Sequence, residues 1–257
     1  MMPHLLIFGL GYTATRIAAA LEERGWTVDA TGSSGNVSFA DREAVLAKLS
    51  LATHVLSSVP PSDGTDPVLD AYGDALGQSW LGYLSSTGVY GDTGGAWVDE
   101  SAPIATGRRT ARSACDQRWL EKGARVFRLP GIYGPGRSAF ERVRNGNAKR
   151  IDLPGQVFSR IHVDDIATGV LAGLDGPAGA YNLSDDLPCA QDLVIAEACR
   201  LMGCQPPPLL SLEEADLSEM AKGFYVENRR VANGKAKRVL AWRPQFPTYR
   251  EGLSSLI

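Results

Sequence analysis

The stretch "IFGLGYTATR", residues 7–16, runs from an apolar segment through two glycines into a helix-like pattern. Gly9, Gly11 and Ala14 form a G-x-G-x-x-A turn. Gly9 permits a tight turn, Gly11 lets the backbone approach a pyrophosphate, and the small Ala14 lets the helix pack closely on the strand. Behind the turn, the helix start at Tyr12 and Thr13 offers unpaired N–H groups and a partial positive charge to phosphates. A plain strand–helix turn can also carry glycines. Position at the first strand of an alternating chain favours dinucleotide binding.

Outward from that turn, the first third of the chain alternates. "HLLIFG" reads as a strand, "TATRIAAALEERG" as a helix, "WTVDATG" as a strand and "DREAVLAKL" as a helix. "THVLSSV" is a strand entering a proline-rich turn, "WLGYLSS" another strand, "ARSACDQRWLEKG" a helix and "ARVFRLPG" a strand. Strands separated by helices imply an α/β protein with a doubly wound parallel sheet, Rossmann-like and covered on both faces. After residue 130 the rhythm breaks. "GIYGPGRSAF" reads as loop, "ERVRNGNAKR" as a polar helix, and "FSRIHVDDIATGVLAGL" as a short strand entering a helix in which Asp165 serves as a cap. "AYNLSD" reads as one more strand, and "PCAQDLVIAEACRLMG" as a helix stopping at Gly203. The division expected is a dinucleotide-binding core over residues 1–130 and a smaller substrate lobe over 131–257, with about 156–185 returning to the core.

Composition narrows the classes. The 257 residues carry 26 Lys and Arg against 29 Asp and Glu, a net charge of −3, with both signs spread along the chain. A nucleic-acid partner needs a clustered basic surface, so none is expected. No segment approaches the roughly 20 apolar residues that span a bilayer, so no membrane partner is expected, and the first residues lack the pattern of a secretory signal. Cys115, Cys189, Cys199 and Cys204 have no CxxC spacing and read as reduced thiols of a cytoplasmic protein. No histidine pair has ligand spacing, and no metal is expected.

The end of the second strand chooses between dinucleotides, because an acid there would bond the adenosine ribose and select NAD. This chain has "ATGSSG", residues 30–35, with Ser33 and Ser34 and no carboxylate. Small hydroxyl residues leave room for a 2′-phosphate, so the cofactor expected is NAD(P), leaning to NADP. Arg16 or Arg42 would assist only if the fold brings them near.

Five segments in order, "LSSTGVYGD" (84–92), "RLPGIYGPGR" (128–137), "FSRIHVDDIA" (158–167), "AYNLSDD" (180–186) and "LAWRPQFPTYREGL" (240–253), resemble the extended short-chain dehydrogenase/reductases. The branch is that of NAD-dependent epimerases and dehydratases. The glycine turn is similar to that of an atypical subgroup labelled as uncharacterised nucleoside-diphosphate-sugar epimerases. The resemblance implies that Ser86, three residues before the Val of the VYG turn, is the catalytic hydroxyl. It places Ser57, Ser58 and Val59 beside the adenosine half of the cofactor, and the backbone of Pro130 and Gly131 at the nicotinamide. It also implies a diphosphate-binding group of Arg160, Arg229 and Arg230, although Arg160 would equally serve as a partner of Asp164 or Asp165. A homodimer through the helix at 110–122 follows by the same analogy.

In that family the proton carrier is a Tyr, its pKa lowered by a Lys four residues later. The corresponding positions here are Thr110 and Ala114. Tyr12, Tyr90 and Tyr133 remain as phenols, and Arg108 or Arg109 as cations able to polarise a carbonyl. Two functions follow. One is an NAD(P)-dependent oxidoreductase, epimerase or dehydratase acting on a small polar or nucleotide-linked substrate such as a nucleotide sugar. The other is a catalytically inactive NAD(P)-binding sensor or regulatory protein.

Overall fold

The computed structural model describes residues 3–77, 79–107 and 110–257. Arg108 and Arg109 lie outside the described residues. Six parallel strands form the central sheet: β1 (His4–Phe8), β2 (Thr27–Ala30), β3 (His54–Ser57), β4 (Trp80–Ser86), β5 (Arg125–Leu129) and β6 (Gly179–Asn182), in the order β2-β1-β3-β4-β5-β6. The chain leaves β1 sideways to β2, then crosses back to lay β3 on the other side. The carboxyl ends of β1 and β3 therefore diverge, and such a switch point is where open α/β sheets bind ligands.

Side chains alternate across the pleat, so each strand feeds two apolar layers. Leu5 and Ile7 of β1, with Phe127 and Leu129 of β5, pack under α1 (Tyr12–Glu22). Leu6 and Phe8, with Tyr83 and Val126, pack under α2 (Arg42–Leu51), α3 (Pro67–Tyr72) and α4 (Thr110–Glu121). The sequence reading passed over α3. Its signal was present, because Asp66 caps the helix by accepting from Val68 and Leu69 N–H, and Pro67 fills the first turn where no N–H is needed. The second Asp66 oxygen accepts from the Trp119 indole at 2.7 Å, which ties α3 to α4.

The second half also departs from expectation. "GIYGPGR" is not all loop: Gly131–Tyr133 pairs in parallel with Arg160–His162. α5 covers Ala139–Arg144 rather than the whole polar run, because Ser138 and Glu141 close a capping box ahead of it. α6 (Val163–Ala172) packs on α1, and α7 (Gln191–Met202) packs on α5 and on the helix Tyr249–Ser254. Asp165 does not cap α6, where the capping acceptor is the His162 ring. Its buried carboxylate accepts from the N–H groups of Gln245 (2.5 Å) and Phe246 (3.1 Å) and so fastens the segment leading to Tyr249–Ser254. Among the described residues no helix is long and apolar enough to cross a membrane.

Beneath the carboxyl ends of β4 and β5 lies a sealed polar network. Arg128 makes a bidentate pair with Asp116 of α4, at 2.7 and 3.1 Å, with both side chains almost fully buried. Asp116 also accepts from Ser85 Oγ at 2.6 Å, and Arg128 donates to the Tyr90 hydroxyl, which donates to Asn182 of β6. Removing one partner of such a pair leaves an uncompensated buried charge. Asp116→Ala is therefore expected to cost about 3–5 kcal/mol in urea unfolding, and the double variant with Arg128→Met less than the two single losses added.

Candidate functional site

The glycine turn is pinned before any ligand arrives. Gly9 N–H donates to Thr31 Oγ1 (3.1 Å) and Leu10 N–H to Thr31 O (2.7 Å), while the Ser58 hydroxyl donates to Gly9 O. Gly9 has φ +87°, a conformation costly for a side chain, and a Cβ there would press on Val59 Cγ2 and Ser58 Oγ. Gly11 differs. Its φ is −95°, and a Cβ there would meet nothing within 4 Å. What Gly11 keeps open is space outside the protein, beside the start of α1. No side chain caps that helix, so its first-turn N–H groups face the same space. This combination fits a dinucleotide pyrophosphate.

A cleft of about 590 Å³ opens from this turn across the ends of β4 and β5 into the second half of the chain. It gathers Gly11, Tyr12, Thr13, Ala14, Ser58, Ser86, Pro130 and Gly131 from the first half, and Arg160 and Arg229 from the second. Other expected residues lie off it. Ser57 is fully buried as the last residue of β3, and Val59 packs against Gly9. Ser33 and Ser34 are exposed on the loop after β2, next to a shallower hollow lined by Gly32 and residues 35–40. Asp29, the acid nearest that loop, is spent on His4, Asn36 and Lys48. Neither arginine considered for the 2′-phosphate is free to turn there. Arg16 pairs with Asp164 at 2.6 Å, and Arg42 donates to Ala71 O and covers the Tyr72 ring.

Ser86 ends β4 half-buried on the cleft wall. Its Oγ accepts from Gly88 N–H at 3.1 Å, which orients the hydroxyl and leaves its proton available to donate. Thr110 and Ala114, which the resemblance aligns with a Tyr and a Lys, lie on α4, Thr110 opening it and Ala114 exposed on it. None of the three phenols is acidified. Burial pushes Tyr90 up to about 12, and its hydroxyl is consumed by Arg128 and Asn182. Tyr133 lines the cleft, but its hydroxyl is sealed in the protein with no hydrogen-bond partner, and desolvation and the Asp185 charge drive its pKa far up. Tyr12 is raised by burial, and its hydroxyl donates to Pro135 O.

The expected arginine group is rearranged. Arg160 lines the cleft, yet its guanidinium donates to Phe158 O, Cys189 O and Gln191 Oε1 at 2.8–3.0 Å. Arg229 is neutralised by Glu227 at 2.9 Å and donates to Gly91 O. Arg230 is absent from the wall because its strand pairs with Trp97–Val98 and its guanidinium donates to Gly95 O. Arg112, Arg137 and Arg142 line the cleft instead. Nothing in the sequence singled out Arg142; its spacing of three from Ala139, which also lines the cleft, puts both on one face of α5 once the fold is known.

No family model matches the chain. A "functionally unknown conserved protein" from Silicibacter pomeroyi is 41% identical and superposes with a TM-score of 0.89 over 99% of this chain and 98% of its own. A 3-diazoavenalumate denitrifying reductase from a Streptomyces species is 27% identical over 83% of each chain. The dTDP-glucose 4,6-dehydratase of Bacillus anthracis, solved with NAD, is 15% identical with a TM-score of 0.78, over 99% and 95%. The fold is that of the extended short-chain dehydrogenase/reductases, the architecture of the NAD-dependent epimerases and dehydratases. Within it, the chain belongs to the family of the Silicibacter protein, an atypical one.

Behind the cleft, Asp185 is buried near Tyr133 and Arg160, one of its oxygens unpartnered, and burial pushes its pKa up to about 8. The folded chain thus keeps a proton that the unfolded chain releases near pH 4, so the contribution of Asp185 to stability falls as pH rises from about 4 to about 8. His54 and His162 titrate below their usual value, which isolates Asp185 above pH 7. Wild type should lose urea midpoint between pH 7 and pH 8, and Asp185→Asn should lose clearly less.

Proposed function

We propose that this chain is an NAD(P)-dependent reductase of the extended short-chain dehydrogenase/reductase fold that works without the Tyr–Lys proton carrier. The observation that carries this reading is the pairing of a built dinucleotide cradle with a Ser86 wall on which no phenol is acidified and Glu227, the carboxylate of the cleft lining, is tied to Arg229. Epimerisation and dehydration both need a base to remove a proton, and every phenol of the cleft is held further from ionising than a free tyrosine. Reduction of an electrophile needs no base. It needs a hydride, which the reduced nicotinamide supplies when bound, and a proton, which water at the open cleft can deliver. The reductase activity named for the Streptomyces relative supports the same choice.

In this reading Gly11 and the first turn of α1 hold the pyrophosphate, and the backbone of Pro130 and Gly131 meets the nicotinamide. Ser58 closes the turn from behind. Ser33 and Ser34 leave room for a 2′-phosphate without a carboxylate to repel it, which inclines the site to NADPH. The Ser86 hydroxyl, oriented by Gly88, donates to the substrate atom on which negative charge grows. The substrate is a small polar or anionic molecule held by the second half of the chain. Thr110 and Ala114 also favour a second reading, a cofactor-binding sensor with no turnover.

Gly11→Val tests the cradle, because a Cβ there meets no protein atom within 4 Å and the branched side chain enters the space beside the start of α1. The variant should fold like wild type and lose the NADPH binding that calorimetric titration detects in wild type, with NADH binding no tighter than NADPH. Equal binding by both proteins would remove the assignment. Turnover is tested by following NADPH oxidation against a panel of carbonyl, enone and diazo compounds. With an active substrate, Ser86→Ala should lower kcat about 10²-fold, a typical loss for one positioned donor, while NADPH binding is unchanged. Tight NADPH binding with no oxidation across the panel would favour the sensor.

A further inference from the structure

Resting on that reading, we propose that the substrate half of the cleft receives a largely apolar, aromatic monoanion whose carboxylate sits on Arg142. The cations of the cleft divide by what they already hold. Arg160, Arg229 and Arg112 each donate to protein acceptors, Arg112 to the Tyr83 hydroxyl at 2.8 Å and Leu84 O. Among the described residues Arg137 makes no side-chain hydrogen bond or ion pair, but it stacks over the Tyr12 ring at the cofactor end. Among the same residues Arg142 has no hydrogen bond or ion pair, and it lines the second half of the cleft while remaining exposed to solvent. Its nearest acid, Glu141, is turned away into the capping box with Ser138.

The surroundings of Arg142 reinforce this. Burial and the Arg160 charge beside it pull its pKa down, so an arriving anion relieves a standing repulsion. The cleft it shares carries apolar and aromatic side chains, Ile132, Val157, Phe158, Val194, Phe224 and Leu253, alongside the polar Ser159, Gln191 and Glu227. A nucleoside diphosphate would bring at least two charges and a sugar rich in hydroxyls. A single guanidinium free of hydrogen bonds and ion pairs in this half, with Arg160 and Arg229 already holding protein acceptors, does not match that. One planar fork does match one planar carboxylate.

The test uses the full chain saturated with NADP⁺ and titrates cinnamate, the neutral cinnamamide and UDP-glucose by calorimetry. Cinnamate should bind, cinnamamide about tenfold or more weakly, and UDP-glucose more weakly than cinnamate. Arg142→Met should weaken cinnamate about 10- to 100-fold, the range for one hydrogen-bonded charge. Arg142→Lys, which keeps the charge and loses the fork, should fall between. NADPH affinity should be the same in all three proteins. Cinnamate binding indifferent to both substitutions, or UDP-glucose binding tighter than cinnamate, overturns the proposal. So does failure of every probe while NADPH still binds. Failure of wild type to bind NADPH overturns the cofactor reading instead.

Discussion

A guanidinium and a carboxylate sealed from water have one acceptable arrangement, facing each other, and the Arg128–Asp116 pair imposes it on this protein. Arg128 belongs to β5 and Asp116 to α4, so the helix cannot slide along the sheet without breaking two hydrogen bonds. Ser85 joins the pair from β4, and Tyr90 and Asn182 extend it to the turn after β4 and to β6. Ser86 is the next residue after one member of this network and stands four before another. Its place on the cleft wall follows from charges that never touch a ligand. The tyrosine of the VYG turn, which invites a catalytic reading, is a strut in that frame.

The architecture was legible because it rests on local rules. Strict alternation in "HLLIF" puts Leu5 and Ile7 on one face and Leu6 and Phe8 on the other, and a strand buried on both faces has little choice but the middle of a parallel sheet. The glycine turn was legible for the same reason. The second half resisted because its order comes from long-range pairings. Nothing near Gly131 in sequence says that it will pair with Arg160, and nothing near Asp165 says that it will hold Gln245 and Phe246. The arginines show the limit best. The family resemblance placed Arg160, Arg229 and Arg230 together as anion binders. Acceptors scattered over the chain hold all three, and Arg142, inside an unremarkable polar helix, lines the cleft without a hydrogen bond or ion pair.

Arginines stand beside Tyr12, Tyr90 and Tyr133, but burial outweighs them and leaves each phenol harder to ionise, with the Tyr133 hydroxyl sealed and Tyr90 threaded into the buried network. The cofactor end keeps the pinned turn, the uncapped helix and the open space beside Gly11. The cradle for a dinucleotide and the burial of Tyr133 are therefore properties of different parts of one cleft wall.

Tyr249 and Leu253 line the cleft beside residues encoded more than a hundred positions earlier, and the segment before them is held by Asp165. During synthesis, the pairings among β1 to β5 and the pins of the glycine turn can form first, because those hydrogen bonds close by residue 129, while the layer over β1 and β5 waits for α6 and β6. The far wall cannot exist until Gln245 and Phe246 have emerged and found their carboxylate. A growing chain would therefore carry the glycine turn well before it had a finished second wall to set opposite it.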